Sequence, residues 1–372
     1  MPITEPVCFF FGANTPDGFY GFHQTDLYHA RDGWVAFLIK SGAGTGKATF
    51  MRRVRQAMEE RGIAGESVLC SSDPDSLDAV VYHDLRMCVI DATAPHVIEP
   101  IAYGECEQLV PFGCCLKPDI ALQNTAAWFE AADACAASHA RCCRFLSAAA
   151  GLLENNRRLQ EATVRHDKIE KAAKQLAFRE WGTRPKEGGT VTRRFLSAVT
   201  PQGAMCLFDT ATALCPKVYV LEDTFGATSS AFLKAMLPLC VRAGQRVIAC
   251  PCPLSPADKL DHLLCPDSGV AFLTSNPHHH VDFPVYRRIH AARFTEGRAL
   301  SSKKQQLRFN RRAADDLLYE AVQSAVDAKA HHDLMEARHT AAMDWERWET
   351  IADDALGQFL SIAEARMSKV GR

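Results

Sequence analysis

The chain contains the same plan twice. "FGANTPDG" at residues 11–18 and "LSAVTPQG" at 196–203 share Ala, Thr, Pro and Gly at matching positions. An apolar strand follows in each copy, "WVAFLI" (34–39) and "KVYVLE" (217–222), then a turn of small residues. A helix comes next, "GKATFMRRVRQAMEERG" (46–62) in one copy and "SSAFLKAMLPLCVRAGQ" (229–245) in the other. Both lead to a short strand, "ESVLC" (66–70) and "QRVIAC" (245–250). Further on, Leu77-Asp78 faces Leu260-Asp261, and Pro95-His96 faces Pro277-His278. A shared order with only small gaps marks one ancestral unit used twice. Alternating strand and helix in each unit predicts an α/β fold with parallel sheets.

Each copy ends in a long stretch nearly free of Pro and Gly, roughly 121–180 and roughly 300–368. Ala, Leu, Glu, Lys and Gln dominate both, so each reads as a helical extension. The Gly- and Pro-rich connector "GTRPKEGGT" (182–190) separates the copies. The expected domains are therefore residues 1–185 and 186–372, each a strand–helix body with a helical tail.

The chemistry concentrates in "KSGAGTGKATF" (40–50). A phosphate-binding loop reads G-x-x-x-x-G-K-[ST] between a strand and a helix. It works because consecutive backbone N–H groups and a helix N-terminus surround phosphate oxygens. Gly42, Ala43, Gly44, Thr45, Gly46, Lys47, Ala48 and Thr49 are the expected nucleotide contacts, with Lys47 reaching the β- and γ-phosphates. Two positions depart from the pattern. Ser41 replaces the first glycine, which matters only if the backbone there needs positive φ. Ala48 replaces the hydroxyl that normally binds Mg²⁺, and Thr49, one place on, points about 100° away. Asp91 ends the apolar strand "RMCVID" where a second carboxylate is expected, so Mg²⁺ is expected to lean on Asp91 through water. Ala92 follows it, and no carboxylate stands there to polarise an attacking water. Lys47 and Asp91 are the candidate catalytic pair. His96 and Glu99 lie beyond the same strand, and the recurrence of Pro95-His96 favours a structural turn.

In the second copy "EDTFGATSSAF" (222–232) replaces the loop, with Ser229 at the Lys47 position and Thr274 or Ser275 at the Asp91 position. Triphosphate binding is not expected there. The clusters "YRRIHAARF" (286–294) and "RFNRR" (308–312) read as solvated basic faces, with an arginine finger the sharper alternative. "NPHHHVDFP" (276–284) and "ACPCP" (249–253) lack the spacing of a zinc site. His332 and Glu336 stand four apart on one helix, a possible ion pair, and the two Trp of "AAMDWERWET" would signal a contact surface if exposed.

A formal net charge of −2 argues against general nucleic-acid binding. No run approaches the roughly 20 apolar residues of a membrane span, and the apolar run in "MPITEPVCFFFGANTP" is too short for a secretory leader. An odd 15 cysteines, several in apolar runs, read as buried thiols in a reducing cytoplasm.

Together these pieces resemble a bacterial family of two-repeat P-loop proteins described as ATPases or nucleotide kinases. The resemblance rests on "GANTPDG" and "SAVTPQG", "GAGTGKAT", "DATAPH" and "HDLMEARHTAAMDWE" (332–346), and spans nearly the whole chain. Family loops resemble GGPGTGKST, from which this chain departs at Ser41, at Ala48 and throughout the second loop. The resemblance implies tandem P-loop NTPase-like domains and ATP ancestry. The leading expectation is an ATP- or GTP-binding protein with slow hydrolysis or phosphoryl transfer at the first loop. A non-catalytic, nucleotide-gated or ligand-free scaffold contacting a protein partner through the helical tails competes with it. A nucleotide kinase is the third reading.

Overall fold

The computed structural model describes residues 7–123, 125–296 and 300–370. The chain forms two compact units. The first-loop unit comprises residues 7–12, Phe19–Ala140 and residues 324–370. The second-loop unit comprises Ala13–Gly18 and Arg141–Gln323.

In the first-loop unit, β1 (Val7–Phe10), β4 (Val35–Ile39), β5 (Glu66–Leu69), β6 (Leu77–Tyr82), β7 (Met87–Asp91) and β8 (Glu107–Val110) form one sheet in the order β1-β5-β6-β7-β4-β8. In the second-loop unit, β9 (Thr190–Arg193), β12 (Lys217–Glu222), β13 (Arg246–Cys252), β14 (Ser255–Cys265), β15 (Val270–Ser275) and β16 (Arg287–His290) take the order β16-β12-β15-β14-β13-β9. Strand for strand this is the same sheet, as the duplication requires. The pairing is mixed rather than wholly parallel: β6 and β14 run antiparallel to both neighbours. The reason is connection length. Only Pro253 and Leu254 separate β13 from β14, and residues 83–86 join β6 to β7, with Arg86 at φ 51°. Links that short close hairpins, whereas a parallel neighbour needs a crossover of a dozen residues or more.

The motif shared by the two copies, T-P-x-G, is a hairpin turn. It joins β2 (Gly12–Thr15) to β3 (Gly18–Gly21) and β10 (Ser197–Thr200) to β11 (Gly203–Cys206). Thr15 Oγ1 donates to Gly18 O at 2.7 Å, and Thr200 Oγ1 donates to Gly203 O at 2.9 Å. Gly18 and Gly203 sit at φ 111° and 112°, where a side chain would be strained.

The principal helices are α2 (Lys47–Glu59), α4 (Thr125–Glu161), α5 (His166–Trp181), α7 (Ala227–Arg242), and the last two, α8 (Lys304–Ala342) and α9 (Trp345–Val370); α1 (His23–Asp26), α3 (Pro118–Ala121) and α6 (Phe208–Leu214) are short. Phe50, Met51, Val54 and Met58 bury one face of α2 against the first sheet, and Phe232, Leu233, Met236 and Cys240 do the same for α7 on the second.

The tails are helical as expected, but the compact units are not the sequence halves 1–185 and 186–372. Ile169, Ala173, Leu176 and Ala177 of α5, from the first half, join the core of the second sheet. Trp348, Ala352, Ala355, Phe359 and Ala363 of α9, from the second half, join the core of the first. The physical reason is the length of the preceding helices. At about 1.5 Å per residue, α4 and α8 each run for more than about 50 Å, and the division into units falls within both.

Candidate functional site

The first loop is held between two buried strands and a helix. All five residues of β4 are buried, and Ile39 at its end pairs with Asp91 at the end of β7. Gly44 and Gly46 take φ 70° and 82°, and Gly46 is the left-handed N-cap from which α2 starts at Lys47. Ser41 is not among the left-handed residues, so its replacement of glycine carries no backbone strain. Its hydroxyl lies 2.6 Å from Thr45 Oγ1, which donates to Gly42 O at 2.8 Å, and the pair braces the turn.

Lys47 points back into this turn. Its Nζ donates to Gly42 O at 2.7 Å and Ser41 O at 3.2 Å and lies 3.4 Å from Asp91 Oδ2. The other oxygen of Asp91 accepts the Thr93 N–H at 3.1 Å and the Thr93 hydroxyl. The sequence-predicted pair is therefore brought together, both members largely buried. Ala48 packs against the core and Thr49 is exposed, so neither restores the missing hydroxyl inside the loop. Glu99 pairs with Lys40 at the mouth.

The end of α8 covers the loop, through the segment "HDLMEARHTAAMDWE". His339 Nδ1 donates to Ala43 O at 2.8 Å, and Thr340 Oγ1 donates to Gly44 O at 3.1 Å. A Cβ on Gly44 would stand 2.4 Å from Glu336 O, one on Gly42 2.6 Å from the His339 ring, and one on Gly46 2.8 Å from the Trp348 ring. All three loop glycines are thus also packing glycines. His332 and Glu336 form the expected i,i+4 pair at 3.8 Å. Of the two tryptophans, Trp348 is core and Trp345 is exposed.

The second loop is two residues shorter than the first. Gly226, at φ 83°, is the N-cap of α7 as Gly46 is of α2. Ala227 therefore takes the Lys47 position, a correction to the pairing of Ser229 with Lys47. Asp223 turns its carboxylate into the loop: Oδ2 accepts the Ser229 N–H at 2.8 Å, and Oδ1 accepts the Phe225 N–H at 3.3 Å and Gln160 Nε2 at 2.7 Å. Gln160 Oε1 accepts the Ala227 N–H at 2.9 Å. Here the chain's own carboxylate fills the amide cradle, and α4 supplies the cover. Beside it Lys259, half-buried, lies 2.8 Å from the buried Asp261; the ammonium holds the Asp261 carboxyl below the usual range against the opposing effect of burial.

The remaining candidate residues pair within the protein. His279 Nε2 lies 2.8 Å from Thr274 Oγ1 and 3.0 Å from Asn276 Nδ2, and His280 Nδ1 lies 3.3 Å from Ser275 Oγ. Arg288 pairs with Glu222 at 2.8 Å. No disulfide joins any of the 15 cysteines, and burial pushes Cys252 up to about 12. Among the described residues no helix is long and apolar enough to cross a membrane. His96 is buried beside His23 and Asp78, a convergence invisible in the linear order.

Comparison of the chain with family models, with curated proteins and with solved structures finds no match.

Proposed function

We propose that the first loop binds a nucleoside triphosphate, ATP or GTP, through the backbone N–H groups of residues 42–49 and the Lys47 ammonium. The observation that carries this reading is the approach of Lys47 Nζ to Asp91 Oδ2, 3.4 Å, at the mouth of a glycine turn that opens a helix. A lysine bonded to its own loop carbonyls can exchange them for phosphate oxygens, which are stronger acceptors. Asp91 then faces the bound phosphates through water and Mg²⁺. Hydrolysis at this site is slow, because Ala48 offers the metal no hydroxyl and Ala92 offers water no base. Tandem P-loop ancestry, with a degenerate second loop, accounts for Asp223 replacing phosphate.

The experiment is titration of a fluorescent ATP analogue into wild type and Lys47→Ala, with and without Mg²⁺. Removing a charge-assisted contact worth about 2–3 kcal/mol weakens binding roughly 30- to 150-fold. If neither protein binds, the nucleotide reading is wrong.

The second reading is a ligand-free scaffold in which the loop is a seat for α8. The contacts of Glu336, His339 and Thr340 favour it, since they account for the loop glycines without phosphate. Binding that needs Lys47 would rule it out.

A further inference from the structure

The first-loop unit buries a group of polar side chains that its loop chemistry does not use. His23 on α1, Asp78 at the second position of β6, and His96 in the segment after β7 bring one ligand atom each to within 4.8 Å of one another. They are 3%, 6% and 8% exposed. The two imidazoles stack with centroids 4.6 Å apart, and His96 Nε2 lies 4.0 Å from Asp78 Oδ1, beyond hydrogen-bond reach. His23 Nε2 and both ring nitrogens of His96 are buried without a hydrogen-bond partner. Leaving such nitrogens unpaired costs far more than satisfying them, and since each neutral imidazole offers one lone pair, the grouping calls for an acceptor of one lone pair from each ring.

The chain also makes room for His23. A Cβ on Gly21 would stand 2.7 Å from His23 Nδ1, and one on Gly12 3.1 Å from His23 Cε1. Phe19 covers both rings, at 6.3 Å from His23 and 6.2 Å from His96.

The duplication supplies an independent argument. The registers of β6 on β7 and of β14 on β15 place Asp261 of the second copy where Asp78 stands in the first. Asp261 is answered by the Lys259 ammonium at 2.8 Å. Two positions earlier the first copy has Ser76, and Lys47 is committed to Asp91 and its loop carbonyls. One copy gives its buried carboxylate an internal cation; the other sets two imidazoles beside the carboxylate.

We propose that His23, Asp78 and His96 bind one divalent transition-metal ion, Zn²⁺ or a cation of similar borderline softness, beside the first loop. Two imidazoles and a carboxylate suit such ions, while Mg²⁺ and Ca²⁺ prefer all-oxygen shells. An ion held at about 2.0–2.2 Å by each ligand atom draws the three side chains together and turns the stacked rings toward it. The Cys70 thiol beside Asp78 is placed to steady the carboxylate. This site does not depend on the nucleotide reading.

The test uses the full chain, stripped of metal and free of nucleotide. Zn²⁺ is titrated against a chromophoric chelator in wild type, His23→Gln and His96→Gln, so that binding by the 15 thiols is a common background. Wild type takes up one equivalent more than either variant, and Zn²⁺ raises the Tm of wild type alone. Crystals of wild type soaked in Zn²⁺ show an anomalous peak bounded by the three side chains, a measurement that stands if a variant fails to fold. Equal stoichiometry in foldable variants, or soaked crystals with zinc only at thiols, overturns the proposal.

Discussion

The carboxylate of Asp223 accepts the backbone N–H of Ser229 at 2.8 Å, in the cradle that opens α7. Phe225 N–H and the Gln160 amide complete its shell. A helix N-terminus of this kind attracts an anion whether it comes from solution or from the chain. Asp223→Ala therefore leaves several buried donors unpaired and costs about 2–4 kcal/mol. Sulfate or inorganic phosphate should recover part of that loss by entering the vacated cradle. Thermal unfolding of wild type and variant against phosphate concentration checks this: the expected rise in Tm belongs to the variant alone. A variant indifferent to anions would mean that the carboxylate does not act as a phosphate surrogate.

Lys259 and Asp261 show the other sign of the same economy. Asp261 is buried and Lys259 half-buried, with Nζ 2.8 Å from Oδ1. Lys259→Met strands the Asp261 carboxylate and should cost about 3–5 kcal/mol, whereas adding Asp261→Leu should return most of the loss. Urea midpoints of the two single variants and the double variant measure the coupling. Additive losses would show that the two charges do not depend on each other.

Acid should loosen the second-loop unit before it titrates most carboxylates. Burial pushes His262 down to about 3 and His279 to about 4, from 6.5. His262 Nδ1 also accepts the Thr274 N–H at 3.2 Å, a bond that protonation at this nitrogen removes. Both folded values lie below the unfolded one, so the unfolded chain binds more protons and stability falls as pH drops below about 6.5. His262 alone contributes roughly 3 kcal/mol of loss by pH 4, as an order of magnitude. Chemical denaturation between pH 8 and pH 4.5 should show a shallower slope for His262→Gln. An unchanged slope would place the acid sensitivity elsewhere.

What could be read from the sequence was local. β4, the glycine turn, the start of α2 at Lys47 and Asp91 at its strand end follow from apolar runs and punctuation within about 55 residues. The exchange of tail helices does not. The face carrying Ile169, Ala173 and Leu176 has the spacing to cover any apolar sheet, and nothing in that spacing says which one. The antiparallel β6 and β14 hide for a related reason, since periodicity reports burial and not direction. The second loop misaligned because matching residue types hid a two-residue deletion, visible only once Gly226 is placed as an N-cap. His23, Asp78 and His96 converge from three elements, and each alone reads as an ordinary residue.

Gly44 separates the two readings of the first loop. It takes φ 70°, and a Cβ there would stand 2.4 Å from the Glu336 carbonyl oxygen, a backbone atom of α8 that no rotamer change can move. The left-handed backbone alone costs Gly44→Ala about 1–2 kcal/mol. The clash adds to this by forcing the loop and the end of α8 apart, breaking the Thr340 hydrogen bond to Gly44 O. The expected result is a clear fall in Tm without any nucleotide present, at least about 2–8 °C. Lys47→Ala, which removes no contact to α8, should weaken nucleotide binding, and because it also unpairs the largely buried Asp91 carboxylate its Tm falls as well. If Gly44→Ala instead kept full thermal stability and lost only nucleotide, α8 would not be seated on the loop, and the glycine would serve phosphate alone.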